Sequence, residues 1–567
     1  MKNYLILIFI VIISIFSILP LFHSGFFPMH DDTQVARVFE MGKALKDGMF
    51  PVRWVQDLGY GFGYPIFNFY APLAYYVGGF FNIIGFDALI STKIMIGVGI
   101  ISAGFFMYLL AKEFFGKIGG IISSLFYVYA PYHALDLYVR GAVAEIFGYA
   151  FLPLAFYGLY KSSKEKSWRF IVVGSMGFAG VILSHNLTAF MLLPFFILTI
   201  FLLVFFNWKD KKFINWNPIF VFIFGIMLSS FYSLPAILEM KYTNIISQIG
   251  GPSDFHDHFV CLPQLWDSPW MFGGSIRGCI DGLSFRIGKL HILAVFISII
   301  MAVFSIKKKG IKKESISLIL AFLLFLMSIF LMLDFSKIIW EKIPQMEYIQ
   351  YPWRYLLFAS FASSFMAGSM FFFSKKLIPR LFNYNIFIFS SFAVTILILF
   401  YLNFKLFQPQ SFNNRTVNDY TNQLELNWRI SKISDEYLPI SIKKPSVIYE
   451  INQKPITSIE NVSVKIITNK SQKIIAEINS DKKSNIKLNI AEFPAWRISV
   501  DGLTQTFNKT ENGLLLTVDK GKHLVAASYE ETPIEKLGNI VTLIGVLGLI
   551  LGIIKGQIKL WANKLLR

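Results

Sequence analysis

The chain has 567 residues, of which 55% are hydrophobic, 17% aromatic and only 16% charged. A soluble domain carries about 25% charged residues, so these proportions exclude an ordinary soluble enzyme, and charge-free runs such as Ile6 to Ile18 and Ile316 to Leu333 must face lipid. Lys and Arg number 53 against 35 Asp and Glu, a net charge of +18, which in such a chain bears on topology before nucleic acid.

Lys2 and the apolar run Tyr4 to Leu21 have the outline of a signal peptide. The run is long, however, and His23-Ser24-Gly25-Phe26-Phe27 offers no small-x-small cleavage site, so we read a retained anchor. A crossing needs about 20 apolar residues, because the backbone must satisfy its own hydrogen bonds. Twelve segments qualify, beginning near Tyr4, Ile90, Ile118, Ile146, Phe170, Leu187, Pro218, Leu290, Ser315, Tyr355, Asn385 and Leu537. With a cytoplasmic N-terminus, alternate loops collect Lys112 and Lys117; Lys161, Lys164 and Lys166; Lys209, Lys211 and Lys212; Lys307 to Lys309 with Lys312 and Lys313; and Lys375, Lys376 and Arg380. Each then obeys the positive-inside rule.

Phe67 to Phe86 is apolar but broken by Pro72, Gly78, Gly79 and Asn82. A span there inverts every later lysine-rich loop, so we expect a re-entrant or interface-lying helix; the alternative is a true span offset by one missed elsewhere. The outer side receives His23 to Thr92, Leu135 to Glu145, Glu239 to Lys289 and Phe335 to Arg354. Both cysteines, Cys261 and Cys279, fall in the third of these. Outside the cytoplasm they form a disulfide or remain two unpaired thiols. From Phe407 to Pro533 the composition turns to Asn, Lys, Ser and Glu, with alternating runs Val462 to Ile467, Lys473 to Ile478 and Leu514 to Val518. This predicts an extracytoplasmic β-sandwich-like module. The expected organisation is therefore a polytopic α-helical membrane domain (1-406), a β-rich domain (407-533), and a last helix with a basic cytoplasmic tail (534-567).

Polar residues gather at the outer ends of the spans. His30-Asp31-Asp32 follows the first. Adjacent carboxylates at a membrane surface repel, and call for a cation, a metal or a shared proton; the other reading is a helix N-cap for Gln34 to Lys46. Tyr138-Val139-Arg140-Gly141 leads to Glu145 at another boundary, where ionisable groups pair or snorkel. Ser184-His185-Asn186 and Tyr351-Pro352-Trp353-Arg354 lie on the same face. Arg140 and Arg354 have the planar paired donors that suit a phosphate, and His185 is either a supporting group or a satisfied interfacial residue. His256, Asp257 and His258 lack a third ligand at a telling spacing, which argues against zinc.

These residues carry a resemblance. The acidic pair after the first span and Tyr70-Ala71-Pro72-Leu73-Ala74-Tyr75-Tyr76 are similar to GT-C membrane glycosyltransferases, with Ala71 standing where those enzymes have a proline. Arg140 to Glu145, Ser184 to Asn186, Pro352 to Arg354 and Phe493-Pro494-Ala495-Trp496-Arg497-Ile498-Ser499-Val500-Asp501-Gly502 resemble the YfhO-like bacterial membrane proteins, which overlap the 6-pyruvoyl-tetrahydropterin-synthase-related membrane family. The pterin label is not read as chemistry, because the zinc-binding histidines of that soluble enzyme are not found here.

The resemblance implies a GT-C-like fold in the plasma membrane and transfer, with inversion, of a sugar from a polyprenyl-phosphate donor to an envelope glycopolymer or glycolipid, without nucleic acid. Asp31 or Asp32 is then the general base, and Arg140 and Arg354 hold the donor phosphate. His30, Tyr138, Glu145 and His185 support them. A divalent cation, Mg or Mn, sits on Asp31 and Asp32 in some relatives, while others work without one. Trp496 is either an acceptor contact or a core residue before a hairpin turn. The sequons at Asn461 and Asn508 are short enough to arise by chance. The competing classes are a transporter or flippase of lipid-linked sugars, which places ionisable groups at mid-membrane, and a non-catalytic envelope scaffold.

Overall fold

A computed structural model describes residues 3–165, 167–211, 214–245, 249–309, 312–377, 385–458 and 462–565. Among these, eight helices are long and apolar enough to cross a membrane, and three more, Tyr4–Ser17, Trp168–Ser184 and Ser390–Leu406, are shorter but equally apolar. One of the eight, Ala88–Arg140, is two passes in one run. Gly116 takes φ +73° and breaks the helix, after which the Ser124 hydroxyl donates to the Gly104 carbonyl at 2.7 Å. In a straight helix those residues would stand about 30 Å apart. With that run divided, all twelve expected segments emerge as apolar helices.

Small residues let the helices approach closely. A Cβ placed on Gly158 would lie 2.2 Å from Gly174 Cα, where Val143–Lys164 crosses Trp168–Ser184. Lys161 meets Glu113 at 3.3 Å, and Lys313 reaches the Glu113 carbonyl at 3.4 Å, so turns expected to share the lysine-rich side do gather at one end of the bundle. Between Phe67 and Phe86 the chain forms Ile66–Phe69 and Leu73–Ile83. An eleven-residue helix spans about 16 Å, half a hydrocarbon core. It lies against Gln34–Lys46 instead, Gly78 on Val38 and Gly79 on Met41.

At the other end sits the β module. One antiparallel sheet has the order β1 (Ile456–Ser458), β4 (Ser484–Leu488), β8 (Gly513–Val518), β7 (Asn508–Thr510). The second runs β2 (Val462–Lys470), β3 (Lys473–Ser480), β9 (Gly521–Tyr529), β5 (Trp496–Val500), β6 (Leu503–Thr504). Alternate residues Ile474, Ala476 and Ile478 of β3 are buried, as are Ile486, Leu488, Leu514 and Leu516 of the other sheet, the pattern of a sandwich with one inner face per sheet. The strands begin at Ile456, not near Phe407. Residues 407–455 lack the alternation of period two and form short helices such as Val417–Thr421. They and the sandwich dock on the first outer loop: the Asn452 amide donates to the Tyr60 carbonyl at 3.0 Å and the Ala491 amide to that of Phe62 at 2.8 Å. Cys261 and Cys279 are disulfide-bonded, with their Cα atoms 5.5 Å apart.

The last helix, Pro533–Leu565, joins the bundle through a buried polar knot. Thr532 donates to Glu239 at 2.5 Å, and burial pushes the Glu239 carboxyl up to about 7, from an ordinary value of 4.5, against the hydrogen bond from Thr532 and with the help of Glu535. The folded chain thus holds this proton more tightly than the unfolded one. Its contribution favours folding most below the ordinary value and is lost as pH rises from 4.5 to about 7. Thermal melts of Glu239→Gln should be flatter across that window than those of the wild type; an unchanged slope assigns the dependence to another group.

Candidate functional site

The first outer loop is stitched to the Arg140 motif backbone to backbone. The His30 amide donates to the Val139 carbonyl at 3.0 Å and the Asp31 amide to the Arg140 carbonyl at 2.9 Å, while the Gln34 side chain reaches the Gly141 carbonyl at 2.8 Å. Gly141, at φ +67°, turns the chain from Arg140 into Val143–Lys164. A Cβ there would lie 2.2 Å from the sulfur of Met29, so the seam needs glycine both for conformation and for space.

Beside this seam is a cavity of about 760 Å³, and Asp31, Arg140, Glu145, His185 and Arg354 all line it. Its other arm is apolar, lined by Phe178, Ile182, Phe190, Leu193, Ile226 and Ile237. Phe190, Ile226 and Ile237 are also solvent-accessible, so this apolar lining is not sealed in the helix bundle. A wet end joined to an oily arm fits an amphiphile.

The polar groups differ in how far they are already engaged. Arg140 Nη1 donates to Glu145 at 2.8 Å and to the Tyr132 hydroxyl at 3.1 Å, and also pairs with Asp136. The Tyr132 hydroxyl donates to the other Glu145 oxygen at 2.6 Å. Asp136 and Glu145 are fully buried. Two carboxylates bracket one guanidinium, so Arg140 brings no surplus charge to a phosphate and Glu145 serves to hold it. Arg354 is different. Its Nη1 donates to the Ile349 carbonyl at 2.7 Å and to Gln350 at 3.4 Å, its plane lies over the Tyr351 ring at 5.1 Å, and its Nε is buried without a partner. No carboxylate among the described residues pairs with it. Of the two expected phosphate ligands, Arg354 is the one with no direct carboxylate partner. His185 Nδ1 shares a 2.8 Å hydrogen bond with the Thr188 hydroxyl.

The acidic pair is split. Asp31 is exposed and lines the cavity, with no ion pair among the described residues. Asp32 turns away, to Arg429 at 3.2 Å and Arg415 at 3.5 Å, which both also hold Glu425. Burial raises its carboxyl, and the two arginines oppose that rise. Only Asp31 reaches the chamber. The pair therefore does not fit a shared metal ion: its second carboxylate is committed, and among the described residues no three His, Cys, Asp or Glu groups come together as ligands.

Other expected residues have structural work. His30 Nε2 meets the Phe272 carbonyl at 3.0 Å, and the Tyr138 hydroxyl donates to the Ser17 carbonyl at 2.7 Å; neither lines the chamber. Trp496, at 2% exposure, packs edge-on against Trp54 at 5.4 Å, so its ring is part of the core. Asn461 of the first sequon lies outside the described residues. Sequence reasoning missed Arg37 and Glu436, which also line the cavity and pair at 2.7 Å. Arg37 stood out only as a cation among apolar residues of Gln34–Lys46. Nothing local marked Glu436.

The chain matches the model of a family described as 6-pyruvoyl-tetrahydropterin synthase related domain, membrane protein, over residues 67–406. An uncharacterised protein of Lactococcus lactis subsp. cremoris is 26% identical over 249 residues, which cover 42% of this chain and 40% of that protein. Among solved structures, this chain is similar to the Archaeoglobus fulgidus oligosaccharyltransferase tethered to an acceptor peptide (12% identity, TM-score 0.47, 81% of this chain and 61% of that one). It is also similar to the arabinofuranosyltransferase AftD from mycobacteria (13%, 0.41, 72% and 27%). The chain thus spans less than two thirds of the length of each of these proteins.

Proposed function

Starting from the fact that the chain belongs to the membrane-protein family described as 6-pyruvoyl-tetrahydropterin synthase related, we propose that it is a glycosyltransferase. It moves a sugar from a polyprenyl-phosphate donor to an envelope glycopolymer or glycolipid on the extracytoplasmic side of the plasma membrane. The observation that carries this reading is the cavity that joins an exposed carboxylate and an arginine without a direct carboxylate partner to an apolar arm. A polyisoprenoid tail suits the arm and a phosphosugar suits the polar end. The positive-inside rule, applied to the lysine-rich end, supports an outer position for the cavity.

In this mechanism Asp31 takes the proton of the acceptor hydroxyl as that oxygen bonds to the anomeric carbon. The bond from that carbon to the phosphate oxygen breaks on the opposite side, inverting the centre. The lipid phosphate departs with its charge against Arg354, a donor placed in advance where charge develops. Glu145, Asp136 and Tyr132 fix Arg140 and with it the wall of the chamber.

The test is mass spectrometry of envelope glycopolymers from a deletion strain, complemented by wild type or by Asp31→Asn. A sugar branch lost on deletion and restored by wild type alone is expected; unaltered glycopolymers in the deletion strain overturn the reading. In vitro, Arg354→Gln should raise the KM for the lipid-phosphate donor roughly 10- to 100-fold, the range for a hydrogen bond to a charged group. An unchanged KM makes Arg354 structural.

A further inference from the structure

We propose that the outer face holds a second binding site, apart from the Asp31 cavity, whose ligand is a saccharide. It is a cavity of about 150 Å³ where the first outer loop meets the β-sandwich, and Gln56, Gln423, Asn452, Asn469 and Asn489 supply its amide walls. The inner wall includes Trp54 and Trp496, locked edge to face. A wall of amides is the chemistry that meets hydroxyl groups.

Two buried atoms in this wall have no hydrogen-bond partner. One is the Trp496 Nε1 donor, on a residue that is 2% exposed, and the other is the Gln56 Oε1 acceptor; the Gln56 amide nitrogen is already given to Asn469. Leaving either atom unpaired is costly. Hydroxyl groups can satisfy both kinds of atom, whereas a carboxylate serves only the donor and an ammonium group only the acceptor. Lys43 and Asp57 pair at 2.5 Å, and the other lining cations, Lys454 and Lys470, are exposed to solvent. A lone structural water needs only about 10–15 Å³, so the space is much larger than that role requires.

The helix Gln34–Lys46 runs between the two cavities, with Arg37 lining one and Lys43 the other, about 9 Å of rise apart. A growing glycan with its acceptor end at Asp31 would have an inner sugar held here. That role rests on the transfer reading; the binding itself does not.

The test uses the full-length protein in detergent without lipid donor, and saturation-transfer NMR with glucose, galactose and N-acetylglucosamine as probes. At least one sugar should bind the wild type, and Trp496→Phe, which keeps the ring but loses the donor, should bind it about three- to tenfold more weakly. Gln56→Met, at the less buried wall, should weaken it similarly and guards against a misfolded tryptophan variant. Asp31→Asn should bind the sugar as the wild type does. No signal from any of the three sugars, equal binding by both wall variants, or loss of binding in Asp31→Asn each overturns the site. Because no transfer is measured, failure of the glycosyltransferase reading and failure of this site give separate results.

Discussion

Asp31→Asn should lower transfer about 10²- to 10⁴-fold, the usual share of a general base, with no change in protein abundance. Its side chain is exposed to the cavity and holds no partner in place, so the amide removes a proton acceptor and little else. Asp32→Asn should leave transfer near the wild-type level. That carboxylate pairs with Arg415 and Arg429, and Glu425 remains to hold both arginines when it is neutralised. A partly exposed pair of this kind contributes about 1 kcal/mol or less. The decisive measurement is sugar incorporation in membranes at matched expression. If Asp32→Asn is the dead variant and Asp31→Asn the active one, the assignment of the base is wrong.

Arg140→Met should cost about 3–5 kcal/mol of stability, the penalty of stranding buried charge after one partner is removed. Asp136 and Glu145 are both fully buried against this guanidinium, and one Asp136 oxygen already lacks a partner. Neutralising the carboxylates together with the arginine, as Arg140→Met with Asp136→Asn and Glu145→Gln, should recover much of the loss, because a buried ion cluster replaced as a whole is often close to neutral. Thermal melting in detergent and expression level report both variants. A single Arg140→Met as stable as the wild type would mean that the arginine is not the keystone of this wall. The two experiments separate chemistry from architecture, since Asp31 should affect rate alone and Arg140 should affect the fold first.

The site residues were legible to different degrees, for physical reasons that follow the residues themselves. Arg140, Glu145, His185 and Arg354 each interrupt an apolar run near a helix end, where ionisable groups are expensive and usually placed for a purpose. They do line one chamber. What such interruptions do not reveal is occupancy: Arg140 and Arg354 look alike in sequence, yet one is bracketed by two carboxylates and the other by a backbone carbonyl and a glutamine. Trp496 is a similar case, because its burial depends on Trp54, far away in the first outer loop.

Hydropathy and lysine placement by themselves determined the apolar passes, the short helix at Leu73–Ile83 and the β module, because lipid burial and strand alternation act over windows of a few to twenty residues. Tertiary structure alone decided which of two adjacent aspartates faces the chamber, since Arg429, 397 positions downstream, takes Asp32. It also decided that the apolar arm opens beside the polar end, and that Glu436 stands opposite Arg37. Charges and cavities are settled by neighbours in space, and a membrane bundle brings those neighbours from opposite ends of the chain.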